Sequence, residues 1–409
     1  MSKKERVGII GGGPAGMMAA ITAGKNPKNQ VVLLEKNEKL GKKLYITGKG
    51  RCNITNSIDI SEFFNYIPRN KEFLYSSLYS FTNDDIIKML DELGLKTVVE
   101  RGNRVFPESN KSNDVLKAFE KALRLNNVEI HLNNEVSAIE KSQDVFTVKS
   151  IRGNLEFDKL IIATGGISYP MTGSTGDGYK FSKKFGHTVV DPEPSLVPVV
   201  LKDKYLSELQ GLSIKNAEIS VYVNKKLKHS EFGEFLFAHF GITGPIVLTL
   251  SEYLSNYKKN EIEIKCDFKP ALDTKKLDTR LQREFTENSN KQILTVMYNL
   301  LPRSLAKVVL EISEIDLETP CHQITKAERQ KINDNIKGFP MTYDSLADIK
   351  LAIITKGGVN VKEINPSTME SKIIPNLYFC GELIDINAFT GGFNLQLAYS
   401  TGFLAGISV

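Results

Sequence analysis

Residues 7–35 read VGIIGGGPAGMMAAITAGKNPKNQVVLLE. A short apolar run stops at Gly11, Gly12 and Gly13, a segment of helical texture follows, and a second apolar run closes on Glu35. This is G-x-G-x-x-G between a strand and a helix with an acid at the end of the next strand, and it commits the chain to a βαβ unit shaped for a dinucleotide. Gly11 allows the turn off the strand, Gly13 lets a pyrophosphate approach the backbone, and Gly16 lets the helix pack close to the strand. Pro14 suits the first helical turn, where its missing N–H costs nothing. Ala15, Ala19, Ala20 and Ala23 give the helix a small face. Its N-terminus offers free N–H groups and positive dipole charge to phosphate. Glu35 is placed to accept hydrogen bonds from ribose hydroxyls, and its charge disfavours a 2′-phosphate, hence NADP, at this site. A glycine-rich turn in an ordinary βαβ unit would leave Glu35 unexplained.

The length of 409 residues suggests two or three domains. A net charge of +5, spread without long basic runs, gives no footing for a nucleic-acid partner, and none is expected. No apolar run approaches the roughly 20 residues that span a bilayer, so no membrane partner is expected. Lys3, Lys4, Glu5 and Arg6 lead straight into the first apolar run, leaving no room for a signal peptide, so a cytoplasmic protein is expected. Cys52, Cys266, Cys321 and Cys380 are far apart and form no C-x-x-C pair, so neither a metal site nor a disulfide framework is expected.

The polar stretch 36–56 is too long for an ordinary connection and is expected to carry function. Its Gly48-Lys49-Gly50 is not a P-loop, which would need glycine at Lys43 and Ser or Thr at Gly50. Residues 128–131 read as a further parallel strand and 135–150 as a small meander. Leu160 to Ala163 is a buried-strand run that stops at Thr164, Gly165 and Gly166. From Asp191 the texture turns β-rich, and it becomes helical over about 273–336. Leu377 to Cys380 then returns as a buried strand ending at Gly381-Glu382, with Gly391-Gly392 and a helical stretch behind it. The expected organisation is α/β: a Rossmann-like domain from 1–190 and 355–409, with an inserted substrate or cap domain at 191–354.

NAD and FAD share the first fingerprint, so the later glycine clusters decide between them. FAD extends well past the pyrophosphate and needs contacts at a second strand end and a helix N-terminus near its ring. Strand, Gly381-Glu382, Gly391-Gly392 and helix supply that order, and amides around Phe393 to Leu395 would face negative charge on the ring. A one-domain NAD fold has no use for such a return.

On these residues the chain resembles flavoproteins of the two-dinucleotide-binding-domain type. More closely it is similar to the bacterial BaiN-like family, which includes aminoacetone oxidase. The carrying segments are GGGPAG at 11–16, TGKGRCN at 47–53, ATGGISYPMTGSTGDGY at 163–179, FGEFLFAHFGITGP at 232–245, TKGGV at 355–359 and GELIDINAFTGGFNLQLAYSTG at 381–402. The resemblance runs end to end, although the family often has a third glycine where this chain has Lys49. It implies a β-barrel-like insert with a small helical part, and one non-covalent FAD. Gly11, Gly13, Pro14, Ala15 and Gly16 would hold the pyrophosphate, with Glu35 on the ribose and Lys36 and Lys42 nearby. Thr47, Gly48, Arg51, Cys52 and Asn53 would lie along the flavin, Val136 at the adenine, and Thr164 and Gly165 at the adenosine side. Gly381, Glu382 and Asp385 would meet the ribityl and phosphates, and Asn394, Leu395 and Gln396 the ring. Family activities include amine oxidation and reduction of conjugated enones in bile-acid-type steroids, so a small-molecule substrate is expected but its identity does not follow from the fold.

Three residues are candidates for chemistry. Cys52 sits beside Arg51, whose charge would favour a thiolate; the alternative is a small packing residue. His239 in the aromatic stretch 232–245 would serve as acid or base, against an ordinary structural histidine. Tyr169 would donate a proton, against a packed loop residue. Substrate is expected between the insert and the flavin face, with Phe232, Phe235, Phe237 and Phe240 as apolar walls or as plain core. No second G-x-G-x-x-G follows a strand, so NAD(P)H would reduce the flavin by docking transiently. The leading function is an FAD-dependent oxidoreductase. A flavin redox sensor and a nucleic-acid-modifying flavoprotein are the alternatives.

Overall fold

A computed structural model describes residues 4–409. They fall into two compact units, one running to Pro194 and resuming at Ala352–Val409, the other formed by Ser195–Leu351.

The first unit is built on five parallel strands in the order Leu377–Phe379, Lys159–Ile162, Glu5–Ile10, Asn29–Leu34, Glu129–His131. Val7, Ile9, Val32, Leu33, Leu160, Ile161, Leu377 and Phe379 are all buried, the near-continuous apolar character that a sheet covered on both faces requires. The register places the site. Ile10 lies opposite both Leu34 and Ile162, and Ile162 lies opposite Phe379. Four strands therefore end at one level, and Gly11, Glu35, Ala163 and Cys380 leave the sheet together at its carboxyl edge, where open α/β sheets bind ligands.

The helix Pro14–Gly24 follows the first strand, and the C-terminal helix Phe393–Ile407 lies against it. Their contact is close because it is made with glycine: a Cβ at Gly402 would stand 2.3 Å from the Ala15 carbonyl oxygen, and one at Gly406 2.5 Å from that of Ala19. A meander of Val136–Ser142, Val145–Ser150 and Gly153–Phe157 and a small antiparallel sheet of Thr55–Asn56, Arg104–Pro107 and Thr97–Glu100 complete the periphery. Within the stretch 36–56, Lys42–Gly50 is a helix that breaks at Thr47, Gly48 and Lys49.

In the second unit seven antiparallel strands run in the order Phe339–Met341, Ile262–Asp267, Ser213–Val223, Lys226–Ala238, Gly241–Thr243, Val199–Leu201, Tyr343–Leu346. The two edge strands are joined by Thr342 alone, so the sheet must curl until its edges meet, which makes it barrel-like. Helices at Pro245–Leu254, Thr274–Glu287, Arg303–Ile312 and Lys326–Lys337 pack with it around a separate apolar core.

Candidate functional site: a cleft at the carboxyl edge of the parallel sheet

The glycines of the first loop have different physical reasons. Gly11 takes φ +105°, and a Cβ there would stand 2.5 Å from the Ala163 carbonyl oxygen; at Gly16 it would stand 1.9 Å from that of Gly11. Both are glycine because the backbone has no room. Gly13 differs: its backbone is ordinary and extended, and a Cβ would meet nothing within 4 Å. Open space lies in front of a helix N-terminus that no side chain caps. Glu35 is buried, and its carboxylate accepts from Gly12 N (2.7 Å), Asn37 N (2.8 Å) and Asn37 Nδ2 (2.7 Å). Asn37, which the sequence did not single out, also donates to the Thr172 carbonyl (3.1 Å) and accepts from Lys42 Nζ (3.3 Å). Lys42 thereby reaches the glycine loop through Asn37 and Glu35.

Lys36 spans to the loop after Lys159–Ile162, donating to Thr175 Oγ1 (2.5 Å) and Asp177 Oδ2 (2.8 Å). Burial would raise the Asp177 carboxyl, but the Lys36 ammonium and the Thr175 hydroxyl outweigh it and hold it below the usual range. Thr164 carries a buried hydroxyl with no hydrogen-bond partner, and Gly165 takes φ +75°. Val136 opens the meander and is buried beside Asn134, whose backbone N–H donates to the Glu35 carbonyl (2.9 Å).

Around the break in Lys42–Gly50, Thr47 Oγ1 donates to the Leu44 carbonyl (2.7 Å), and Gly48 and Lys49 both take φ +57°. Arg51 turns away from its neighbour. It clamps Glu100 through two nitrogens (2.8 and 3.0 Å) and lies 4.0 Å over the Phe106 ring. Cys52 is wholly buried, and that burial pushes its thiol up to about 12, with Thr47 relieving only part of the shift. Of the two readings of Cys52, the geometry follows the packing one: Arg51 is committed to Glu100, and among the described residues the buried thiol has no cation beside it to favour a thiolate. Asn53, with its amide oriented to satisfy its neighbours, accepts from Gly392 N (3.0 Å) and donates to the Thr55 carbonyl (3.1 Å). The 47–53 segment is thus tied to the start of the C-terminal helix.

At the last strand end, Gly381 takes φ +72°, and a Cβ would stand 2.6 Å from Ala15 Cβ, so this loop lies on the first glycine loop. Glu382 spends both carboxylate oxygens on the protein, accepting from Lys43 Nζ (2.6 Å), Ser168 Oγ (3.0 Å) and Thr355 N (2.7 Å). Asp385 is buried; one oxygen accepts from Asn70 Nδ2 (3.1 Å) and Arg69 (3.3 Å), and the other has no partner. The Asn394 amide staples the turn before it, through Ala388 N (2.9 Å) and the Ala388 carbonyl (2.6 Å). Gln396 is wholly buried between Thr55, Phe81 and Ser400. Half-buried Leu395 packs against the core, and that helix start, like the first, has no side-chain cap. The side chains of Asn394 and Gln396 are thus engaged within the fold.

An open approach at Gly13, an acid at the second strand end, unsatisfied oxygens on Thr164 and Asp385 and a second uncapped helix fit the parts of an extended dinucleotide. Unsatisfied buried oxygens cost about 1–3 kcal/mol each until something donates to them. Missed by the sequence reading were Asn37, Lys43, Ser168 and Thr355, ordinary polar residues whose roles appear only when distant segments meet.

The candidates for chemistry fare unevenly. Tyr169 is half-buried with φ +52°, and its carbonyl closes its own turn by accepting from Thr172 N (2.8 Å). His239 lies exposed in the second unit with its ring edge-on to Phe240 at 4.9 Å. Phe235 and Phe237 are fully buried in that unit's core, with ring centroids 5.0 Å apart, and Phe232 is 59% exposed. Of the two readings of these phenylalanines, wall or plain core, Phe235 and Phe237 follow the core one. Among the described residues no cluster of His, Cys, Asp and Glu is arranged to hold a metal ion, and no helix is long and apolar enough to cross a membrane.

Comparison with known proteins agrees with this architecture. The family model described as HI0933-like protein Rossmann domain matches residues 5–408. A 3-dehydro-bile acid delta(4,6)-reductase of Clostridium scindens is 30% identical over 98% of both chains. A ribosomal RNA dihydrouridine synthase of Haemophilus influenzae is 29% identical over 98% of this chain and 97% of its own. Among solved structures, a 3-ketosteroid delta1-dehydrogenase from Sterolibacterium denitrificans shares the fold at 12% identity, with a TM-score of 0.51 and 99% of each chain covered. Matched by its family model over nearly its whole length, the chain belongs to the HI0933-like Rossmann family and is an oxidoreductase.

Proposed function

We propose that this chain binds one FAD without a covalent link and uses it to reduce a carbon–carbon double bond conjugated to a carbonyl in a small organic molecule. The observation that carries the reading is the common level of four strand ends, which sets the Gly13 opening, Glu35, Thr164 and the 381–392 loop along one edge. Gly13, Ala15 and Gly16 would take the pyrophosphate, Glu35 the ribose, Asp385 a ribityl hydroxyl, and the Phe393 helix start the ring. When bound, the flavin supplies the hydride exchange. The chain's residues hold and orient it and set the charge around it. NAD(P)H would deliver reducing equivalents by transient docking.

Relatives of nearly equal identity act on different molecules by name, a bile acid and ribosomal RNA. Dihydrouridine formation also saturates a double bond conjugated to a carbonyl, so the chemistry is shared and the substrate class is the open choice. The mild net charge favours the small molecule. The second reading, reduction of uridine in ribosomal RNA, rests on the Haemophilus influenzae relative and its Escherichia coli counterpart.

The test is anaerobic spectroscopy of the FAD-loaded protein. Bleaching by NADH or NADPH, followed by reoxidation on adding a steroid 4-en-3-one, is the expected result. Reoxidation by unmodified ribosomal RNA and not by the steroid would establish the second reading. Bleaching by a primary amine with no response to NAD(P)H would reverse the direction to amine oxidation, and silence toward all of them would point to a redox sensor.

A further inference from the structure

Glu382 ties its own loop to three other segments around the site. Its Oε2 accepts from Lys43 Nζ (2.6 Å), on the first turn of the helix that carries the 47–53 segment. Its Oε1 accepts from Ser168 Oγ (3.0 Å) and Thr355 N (2.7 Å). Ser168 in turn accepts from Lys43 (2.6 Å), and Thr355 Oγ1 accepts from Ile167 N (2.9 Å) and Ser168 N (3.1 Å). Packing around this hub leaves no slack: a Cβ on Gly166 would stand 2.4 Å from Thr355 Oγ1 and 3.3 Å from Glu382 Oε1, and Gly381 rests on Ala15. Ser168 and Thr355 are wholly buried, and the ion pair is about one-fifth exposed.

We propose that Glu382 and Lys43 form a charge-neutral cross-brace that positions the glycine-rich segments for the cofactor, with Lys43 acting to cancel a carboxylate that would otherwise oppose the pyrophosphate. This rests on the FAD reading above. The physical reason is a conflict of charge. A carboxylate is the best acceptor for three converging donors, which is what joining four segments requires. The same carboxylate follows directly on a glycine packed against the phosphate loop, where a dianionic pyrophosphate would be repelled. Lys43 resolves the conflict, since its ammonium donates to the hub and leaves the pair without net charge. Both are positioning residues.

This arrangement orders the variants in a way that a purely mechanical brace does not. Lys43→Met leaves an uncompensated carboxylate and should weaken FAD binding most, by roughly tenfold or more. Glu382→Gln removes one strong acceptor but leaves the Lys43 ammonium, which attracts the pyrophosphate, and should weaken binding less. The double variant Lys43→Met/Glu382→Gln should bind FAD more tightly than Lys43→Met alone, and the penalty of Lys43→Met should shrink as salt is raised. Lys43→Arg, which keeps the charge, should stay near the unaltered protein and serves if Lys43→Met does not fold.

The experiment is titration of apoprotein with FAD, read by quenching of flavin fluorescence at two salt concentrations. Thermal unfolding of each apoprotein is measured beside it. A double variant that binds as weakly as Lys43→Met or more weakly, or a salt-independent penalty, would overturn the charge role. Equal affinities in all variants, or loss of binding in Lys43→Arg with its fold intact, would overturn the proposal outright. Failure of the unaltered protein to bind FAD would instead remove the cofactor reading on which it stands.

Discussion

Gly13 and Gly16 stand three residues apart and should answer substitution in opposite ways. Gly13 has φ −77° and ψ −177°, a conformation open to any residue, and faces empty space. Gly13→Val should leave apoprotein stability within about 1 kcal/mol of the original and abolish FAD binding by filling the approach. Gly16→Ala would drive a methyl against the Gly11 carbonyl and should cost about 3 kcal/mol or more whether or not FAD is present. Chemical denaturation and FAD titration of the two variants separate these roles. Lys49 is the opposite case, a side chain held at φ +57° where the left-handed region favours glycine. Lys49→Gly should stabilise the protein by up to about 1 kcal/mol, seen as a higher denaturation midpoint. His187 sets a pH dependence. It is buried against Phe379, with Ser371 at 2.8 Å and Glu363 at 3.2 Å, and burial lowers its pKa against the pull of Glu363. Below its ordinary value of about 6.5 the unfolded chain takes up a proton that the fold resists. Stability should therefore fall as pH drops through that value, and the fall should be smaller in His187→Gln. At this scale the sequence was most legible where a motif fixes backbone geometry, as at Gly11 and Gly16. It was least legible where one polar residue meets another across hundreds of positions, as Lys43 meets Glu382.

Among the elements, strands and helices of the parallel layer were readable because burial on both faces leaves an unbroken apolar run, as in Val31–Leu34 and Leu160–Ile162. The register that brings four strand ends level was not readable, since it depends on pairing between distant segments. The helix within 36–56 escaped notice because it is short, polar and broken at Thr47. Aromatic residues at 232–245 were ambiguous for a different reason. Alternation along Lys226–Ala238 buries Phe235 and Phe237 and exposes Phe232, and a one-residue difference in register would reverse that choice. Close packing of the C-terminal helix rests on its glycines Gly402 and Gly406. Gly402→Leu would force the C-terminal helix away from Pro14–Gly24, the helix whose N-terminus faces the Gly13 opening. It should destabilise the apoprotein by about 3 kcal/mol or more and weaken FAD binding with it. Loss of stability without loss of affinity would mean that the two helices are not coupled to the cleft.

At the scale of the molecule, the two units have separate apolar cores, one around Val7, Ile161 and Phe379, the other around Val221, Phe235 and Leu305. The second unit is also closed at its ends: Val199–Leu201, near its start, pairs with Tyr343–Leu346, near its finish. Its two ends are therefore neighbours, the arrangement that lets a segment be inserted in another domain without disturbing it. All residues proposed to hold FAD lie in the first unit, and none lies in Ser195–Leu351. Ligand that binds one folded unit should stabilise that unit by mass action and leave an independent neighbour where it was. Scanning calorimetry of the apoprotein should therefore resolve two transitions, and saturating FAD should move one upward by several degrees while the other stays in place. Residues 195–351 prepared alone should reproduce the unmoved transition. A single transition that shifts as a whole would show that the units unfold together, and a shift confined to the transition of the isolated insert would place the cofactor in the wrong unit.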